Sequence, residues 1–360
     1  MAEDDSRPIA PKARHGSRLA SSSSAIEKLA EARFLIDEEA ANSADAIAFV
    51  HAVLCQIGLP RSPRKERVWM RSNGNASLRV QAGALLAAGE TWIEQPLPQG
   101  PYARLILADI STHSVRHRSR HVPMEDSVTA YMRKRLKLLV TGGVRGTCTS
   151  FKREAQALAT AQMALGVHYA EGGRQKAVQH NAALVEEFAA WTDHKELHDD
   201  RWPKELVLNE SFYKSLQAHA APIDMRAYRA LAHSALAQDI YTWLAHRLPR
   251  LKAPLGLPWA VLAEQFGGYS DVKEFRKEFI KRMREVATVY PDAQLEVVRG
   301  RREAMGGSLL LKPSRAPVHP IATVVVAAIE APMAGEAEDR SEIRRLLRED
   351  LVGPSDGSRA

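Results

Sequence analysis

Cysteine is nearly absent: the 360 residues contain two, Cys55 and Cys148. Two thiols cannot build the disulfide framework of a secreted domain, so a reducing cytoplasm is the expected setting. No run of 18 or more uncharged apolar residues occurs, so no membrane span is expected. The N-terminus is acidic, then Ser-rich, without the apolar core of a signal peptide. Signatures of catalysis are missing too. There is no Gly-x-Ser-x-Gly, no His-Glu-x-x-His, no Gly-x-Gly-x-x-Gly and no P-loop. Metal-dependent nucleases need clustered carboxylates. The one Asp pair of the expected folded body, Asp199-Asp200, falls in a polar stretch that reads as a linker. The sequence therefore predicts no enzyme, no cofactor and no metal.

What is present is a soluble globular composition, 45% hydrophobic and 26% charged, long enough for two domains. Its net charge of +7 is unevenly spread. Residues 61–174 carry 18 basic and 8 acidic side chains, whereas residues 1–60 and 330–360 are each net acidic. Such asymmetry suggests a polyanionic partner, usually nucleic acid, although a basic surface without a partner has the same composition. The densest segment is YMRKRLKLLVTGGVRGTCTSFKR (131–153), with seven cations and no acid.

The order of elements organises the chain. Residues 1–43 read as a disordered or helical extension, with a helix from about Ser24. ADAIAFVHAVLCQIGLP (44–60) reads as an apolar helix stopped by Gly58 and Pro60. RVWMRSNGNASLRV (67–80) reads as a hairpin around Asn-Gly. Helices follow at 101–112, 124–139 and 147–165, then extended runs around Glu171-Gly172-Gly173. That is the order of a winged helix. A linker is expected at 192–205. The order then recurs: helices at 209–220, 224–248 (as two), 258–268 and 270–290, then strand, loop and strand at 293–314. The expected fold is α+β and mainly α, with winged-helix domains at 44–191 and 206–315 and a C-terminal tail at 316–360.

Two helices carry the candidate contacts. In 270–288, Val272, Phe275, Phe279, Met283 and Val286 form an apolar stripe. Ser270, Lys273, Lys277, Lys281, Arg284 and Thr288 face the other way, as phosphates and base edges require. Charged helix faces are more often merely solvated, and Glu274, Glu278 and Glu285 could pair alongside. In 147–160, Cys148, Phe151, Ala155 and Leu158 read as buried, and Thr149, Arg153, Gln156 and Thr160 as exposed. Arg145 and Lys152 flank this helix start, where a phosphate is favoured. Arg133, Lys134, Arg135 and Lys137 lie on the preceding helix. TGGVRGT could instead be a nucleotide loop, but it lacks the P-loop ending and a preceding strand. HSVRHRSRH (113–121) gives His113, His117 and His121 the i, i+4 spacing of zinc ligands on a helix. The interleaved Arg116, Arg118 and Arg120 oppose a cation and favour a basic loop near DNA. PRSPRKERVWMR (60–71) reads as a backbone clamp or an exposed connector.

Several segments together resemble the plasmid-encoded RepA family of replication initiators. They are FVHAVLCQIGLPR, WMRSNGNASLRVQAG, GPYARLILADIST, SVTAYMRKRLKLLVTGGVRGT, APIDMRAYRAL, ALAQDIYTWLAHRL, PWAVLAEQFG, FRKEF and YPDA, spread over about residues 45–318. The resemblance implies tandem winged helices that bind repeated origin sequences (iterons) in double-stranded DNA. It also implies recruitment of a host initiator and replicative helicase, with a homodimer possible, and no enzymatic activity. The second wing departs from the pattern: VVRGRREAMGGSLLLKPS adds Arg301, Arg302 and Glu303, with Arg301 and Arg302 as further candidate contacts. A repressor of transcription, or an origin-nicking enzyme, are the alternative readings. A nicking relaxase would need a His-x-His metal pair, which is absent.

Overall fold

The computed structural model describes residues 16–38, 46–74, 76–87, 91–143, 146–171, 174–188, 202–299 and 307–318. The architecture is mixed α/β. It opens with α1 (Gly16–Glu38), β1 (Ile47–His51), α2 (Ala52–Gln56), β2 (Val68–Asn73), β3 (Ala76–Gln81), β4 (Ala84–Ala87) and β5 (Thr91–Glu94). Next come α3 (Gly100–His117), β6 (His121–Pro123) and α4 (Val128–Ala130), which runs into a π-helical turn at Tyr131–Arg135. Then follow α5 (Thr147–Thr160), β7 (Gln162–Glu171), β8 (Arg174–Ala183) and β9 (Val185–Phe188). The chain continues through β10 (Glu205–Leu208), α6 (Glu210–His219), β11 (Ala220–Asp224), α7 (Met225–Ala230) and α8 (Ala235–Arg247). It closes with β12 (Leu255–Pro258), α9 (Trp259–Phe266), α10 (Val272–Val289), β13 (Leu295–Val298) and β14 (Ser308–Leu311).

The strands form small antiparallel sheets. β2-β3-β7-β8 is four-stranded, with the Asn-Gly hairpin at one edge. β12-β14-β13 places the last strand between the other two. Two further sheets join early and late parts of the chain. β1 pairs with β11, Ile47 opposite Asp224, and β10 lies between β6 and β9. The expected linker lies mostly outside the described residues, and the strand that starts at its end, Glu205, pairs back onto the first half.

Four expectations change here, the first being the helix expected over 147–165, which ends at Thr160 because residues from Gln162 pair as β7 with β3 and β8. Residues 47–51 are a strand instead of part of a helix, and all five residues are buried. A short apolar run fits either form, and the pairing with β11 decides it. The helix expected over 124–139 is reduced to α4 and the π-helical turn. Leu138 N donates to Met132 O at 2.8 Å, and Lys137 takes a left-handed φ of 52°. A helix already runs from Gly16, ahead of Ser24; it packs against α7 and α10, burying Leu29 and Ala32.

One buried cluster runs through the molecule. Near its centre Arg104 is 4% exposed. All five N–H bonds of its guanidinium find acceptors. Nε and Nη2 donate to Asp239 Oδ1 and Oδ2 at 2.7 and 2.9 Å. Nη2 also reaches Leu59 O at 2.6 Å, and Nη1 reaches Pro60 O at 3.2 Å and Gly100 O at 2.9 Å. A Cβ at Gly58 would collide with the Asp239 carboxylate, so that position needs glycine. Removing one partner strands a buried charge, which costs about 3–5 kcal/mol. Arg104→Leu should therefore lower stability by about that amount in urea unfolding, far beyond the ~0.5 kcal/mol of an exposed substitution.

Candidate nucleic-acid interface

Helix α10 starts at Asp271, whose carboxylate accepts from Lys273 N at 2.9 Å. Phe275, Phe279, Met283, Val286 and Val289 are buried. Trp243, Trp259 and Phe266 meet Phe279 edge-on, with ring centroids 6.4, 5.9 and 5.1 Å away. Val272 does not join this stripe. It is 41% exposed because the first helical turn projects beyond the core.

The opposite face is cationic. Ser270, Lys273, Lys277, Lys281, Arg284 and Thr288 are all exposed. Among the described residues, none of these four cations makes an ion pair. Two of the three acids beside them are engaged elsewhere, and the third, Glu274, is exposed in the first turn. Glu278 and Glu285 both bind Arg282, at 2.7 and 2.9 Å, and Glu285 also meets His233 at 2.9 Å. Arg282 thus draws two carboxylates to the flank and leaves the lysines uncompensated. At 1.5 Å per residue, Lys273 to Lys281 spans about 12 Å, long enough to follow several phosphates.

The segment 131–153 is more occupied than its composition suggests. Arg133 is exposed and without an ion pair among the described residues. Lys134 pairs with Glu125 at 3.2 Å. Arg135 turns inward: it meets Asp109 Oδ2 at 2.9 Å, donates to Pro123 O and sits 5.2 Å above the Tyr131 ring. At 18% exposure it has little surface to offer a ligand. Arg153 stays exposed but lies 3.4 Å from Glu154. Lys152 and Gln156 are half-buried and Thr149 is exposed. In α5, Phe151 and Leu158 are buried as expected, whereas Cys148 and Ala155 are only partly covered. Glu154 is the unexpected buried residue. It accepts from Gln99 N at 2.8 Å, tying α5 to the start of α3, and burial pushes its carboxyl up. Arg145, Arg301 and Arg302 lie outside the described residues.

The glycine turn before α5 is closed by its own hydroxyls. Thr141 N donates to Thr147 Oγ1 at 2.9 Å, and Thr147 N returns to Thr141 Oγ1 at 3.0 Å. Thr149 Oγ1 donates to Gly143 O at 2.9 Å. A Cβ at Gly146 would strike the carbonyls of Thr141 and Gly142. Cys148 N is also taken, by Thr141 O. The helix start expected to hold a phosphate therefore has donors already engaged.

The histidine run is only partly covered: His117, Arg118 and His121 are exposed, and His113 and Arg116 are half-buried. The His113 and His117 rings are 4.3 Å apart, His121 faces Glu205 at 3.3 Å, and Arg116 donates to Ile47 O. Among the described residues no group of three or more His, Cys, Asp or Glu could hold a metal ion. In the 60–71 segment, Arg61 and Arg71 donate to Gly267 O and Phe266 O, so it braces the α9–α10 turn.

Geometry thus defines a protein of mixed helices and antiparallel sheets, with a cationic helix packed against the core. In comparison with known proteins, the family described as plasmid encoded RepA protein matches residues 97–257. Over that span the resemblance read in the sequence is shown. Two crystal structures of domains 2 and 3 of RctB, one of selenomethionine derivatives, match this chain. They share 12% and 10% identity, cover 75% and 76% of this chain and 97% and 99% of theirs, and each gives a TM-score of 0.45. No curated protein matches. No described helix is long and apolar enough to cross a membrane.

Two imidazoles set an acid limit on this scaffold. Burial, with Arg250 and Arg247 nearby, holds His246 down to about 3. Burial and then the neighbouring His117 hold His113 to about 4. Unfolded histidines titrate near 6.5 (about). Between about pH 6.5 and 4 the unfolded chain binds protons that the folded chain refuses, so stability is fullest above this window and falls as pH drops through it. The urea midpoint should be lower at pH 5 than at pH 7.5, and His246→Leu should flatten that difference.

Proposed function

We propose that this chain initiates plasmid replication by binding repeated origin sequences in double-stranded DNA, with α10 as the principal reading helix. The observation that carries this is the face of Lys273, Lys277, Lys281 and Arg284, exposed and without ion pairs among the described residues while Glu278 and Glu285 are drawn to Arg282. The family match over residues 97–257 supports the replication role. The order α8, β12, α9, α10, β13, β14, with β14 central in its sheet, supports a winged helix in the second half. There α9 and α10 form the helix-turn-helix, and α10 is the member that enters the major groove. In the first half, α4 with the π-helical turn, then α5 and the β7-β8 hairpin, would form a second such unit. Arg133, Thr149, Lys152, Arg153 and Gln156 remain its candidate contacts, and Arg145, Arg301 and Arg302, outside the described residues, remain candidates from the sequence. The setting is the bacterial cytoplasm, with a host initiator and replicative helicase as partners and no catalytic step assigned to the chain.

Two grooves on one face of B-DNA recur every ~10.5 bp, so one monomer should protect roughly 20 bp in a footprint on the parent replicon. Short direct repeats there fit an initiator, whereas a single inverted repeat fits a repressor. Protection of one turn only would remove the tandem arrangement. Strand cleavage that tracks with the protein would point to the nicking enzyme.

Lys277→Ala and Lys281→Ala should each leave stability within about 0.5 kcal/mol of the parent. A lysine on phosphate should, when lost, weaken binding to all sequences and reduce the salt slope by about one. A lysine on a base edge should instead cost about 1–3 kcal/mol at one position of the repeat. Affinity measured over a salt series separates these outcomes. If both variants bind like the parent at every salt, α10 does not lie in the groove.

A further inference from the structure

The segment after Pro60 crosses to the α9–α10 turn and carries three arginines to it. Arg61 and Arg71 hold the carbonyls of Gly267 and Phe266 at the C-terminal end of α9. Those carbonyls carry partial negative charge, which two guanidinium charges exceed. Beside them lies a cleft of about 310 Å³. Its walls include Arg61, Arg64, Arg71, Tyr269, Ser234, which caps α8, and the first residues of α8, Ala235 and Leu236. The one carboxylate on the wall is Glu278, which is occupied by Arg282 at 2.7 Å. Asp239, the other acid close by, is held by Arg104. Positive charge therefore collects here without a matching anion. Burial holds Arg61 below its ordinary value, and burial followed by repulsion from Arg61 brings Arg71 to about 10. The Arg61 Nη1 atom is buried and has no hydrogen-bond partner. Tyr269 offers a hydroxyl, and its ring lies 5.8 Å from the Arg61 guanidinium.

We propose that this cleft is a phosphate-binding site in which Arg61, Arg64 and Arg71 share the anion. Guanidinium groups suit phosphate because their paired N–H bonds match its oxygens. The amino end of α8 on the same wall adds favourable backbone dipoles. An occupant would join the segment after Pro60 to the α9–α10 turn and so brace the attachment of α10. The phosphate can come from a free anion in solution or from the backbone of bound duplex. The second source rests on the DNA-binding reading above; the first does not.

Arg64 decides between them, because it is exposed and makes no hydrogen bond or ion pair among the described residues. Calorimetry on the full chain, with pyrophosphate titrated at constant ionic strength, forms one arm. DNA affinity over a salt series forms the other. Saturable pyrophosphate binding, weakened at least ~10-fold in Arg64→Gln by loss of a charge-assisted contact, assigns a free anion. Arg61→Gln should weaken it further. No pyrophosphate binding, with the DNA salt slope reduced by about one in Arg64→Gln, assigns the duplex backbone. If Arg64→Gln is folded by circular dichroism and neither readout differs from the parent, the site is overturned. Should the parent bind no DNA, the proposed function fails, and the pyrophosphate arm alone still decides the cleft.

Discussion

A guanidinium inside a protein is tolerated only when every N–H bond is met and its charge is balanced. Arg104 meets both conditions, and much of the molecule is arranged around that demand. Its carboxylate partner comes from α8, two carbonyls from the turn after α2, and a third from the first turn of α3. The turn at Leu59 and Pro60 is thereby fixed, and the next residues carry Arg61 and Arg71 to the end of α9. α8 is fixed as well, and it packs directly against α10. The position of the cationic helix thus traces back to one buried ion pair. Glu278, Glu285 and Arg282 then refine its surface.

Charge counted along the chain and charge presented to solvent differ sharply. Residues 61–174 hold most of the excess, yet Arg61, Arg71, Arg104, Arg116 and Arg135 all turn to carbonyls or carboxylates of the protein. Arginine suits this internal work, because its planar fork can satisfy several acceptors at once. Lysine, a strongly hydrated point charge, stays outside. On α10 three of the four uncompensated cations are lysines. That helix lies outside residues 61–174, the segment that holds the excess.

The sequence was legible where one element carried its own pattern. α10 has five turns of apolar spacing, and the structure buries four of the five stripe residues named, Val272 excepted. The Asn-Gly hairpin and the strand pair after α5 were legible for the same reason. What escaped depends on partners far away in sequence. β1 reads as helix until β11 is beside it. The short strands β4, β5, β6 and β12 are too brief to show a period. Arg135 reads as a surface cation because its partner, Asp109, lies 26 positions earlier on another helix. Glu154 stands on a helix face that looks solvated, and only the backbone N–H of Gln99 makes its burial tolerable. In α5 the apolar stripe alone was insufficient to rank which side chains lie deepest.

The Arg104–Asp239 pair also has a history in time. Its members are 135 residues apart, and β1 waits still longer for β11. A ribosome adding about 5–20 residues per second leaves Arg104 without its counter-ion for roughly ten seconds. During that interval β1 has an open edge, a surface that invites pairing with other chains. Many long-range contacts must also close before the core gains its full free energy, which slows folding. The nascent first half is therefore a natural client for chaperones, and translation speed between residues 104 and 239 becomes part of what determines the yield of folded protein.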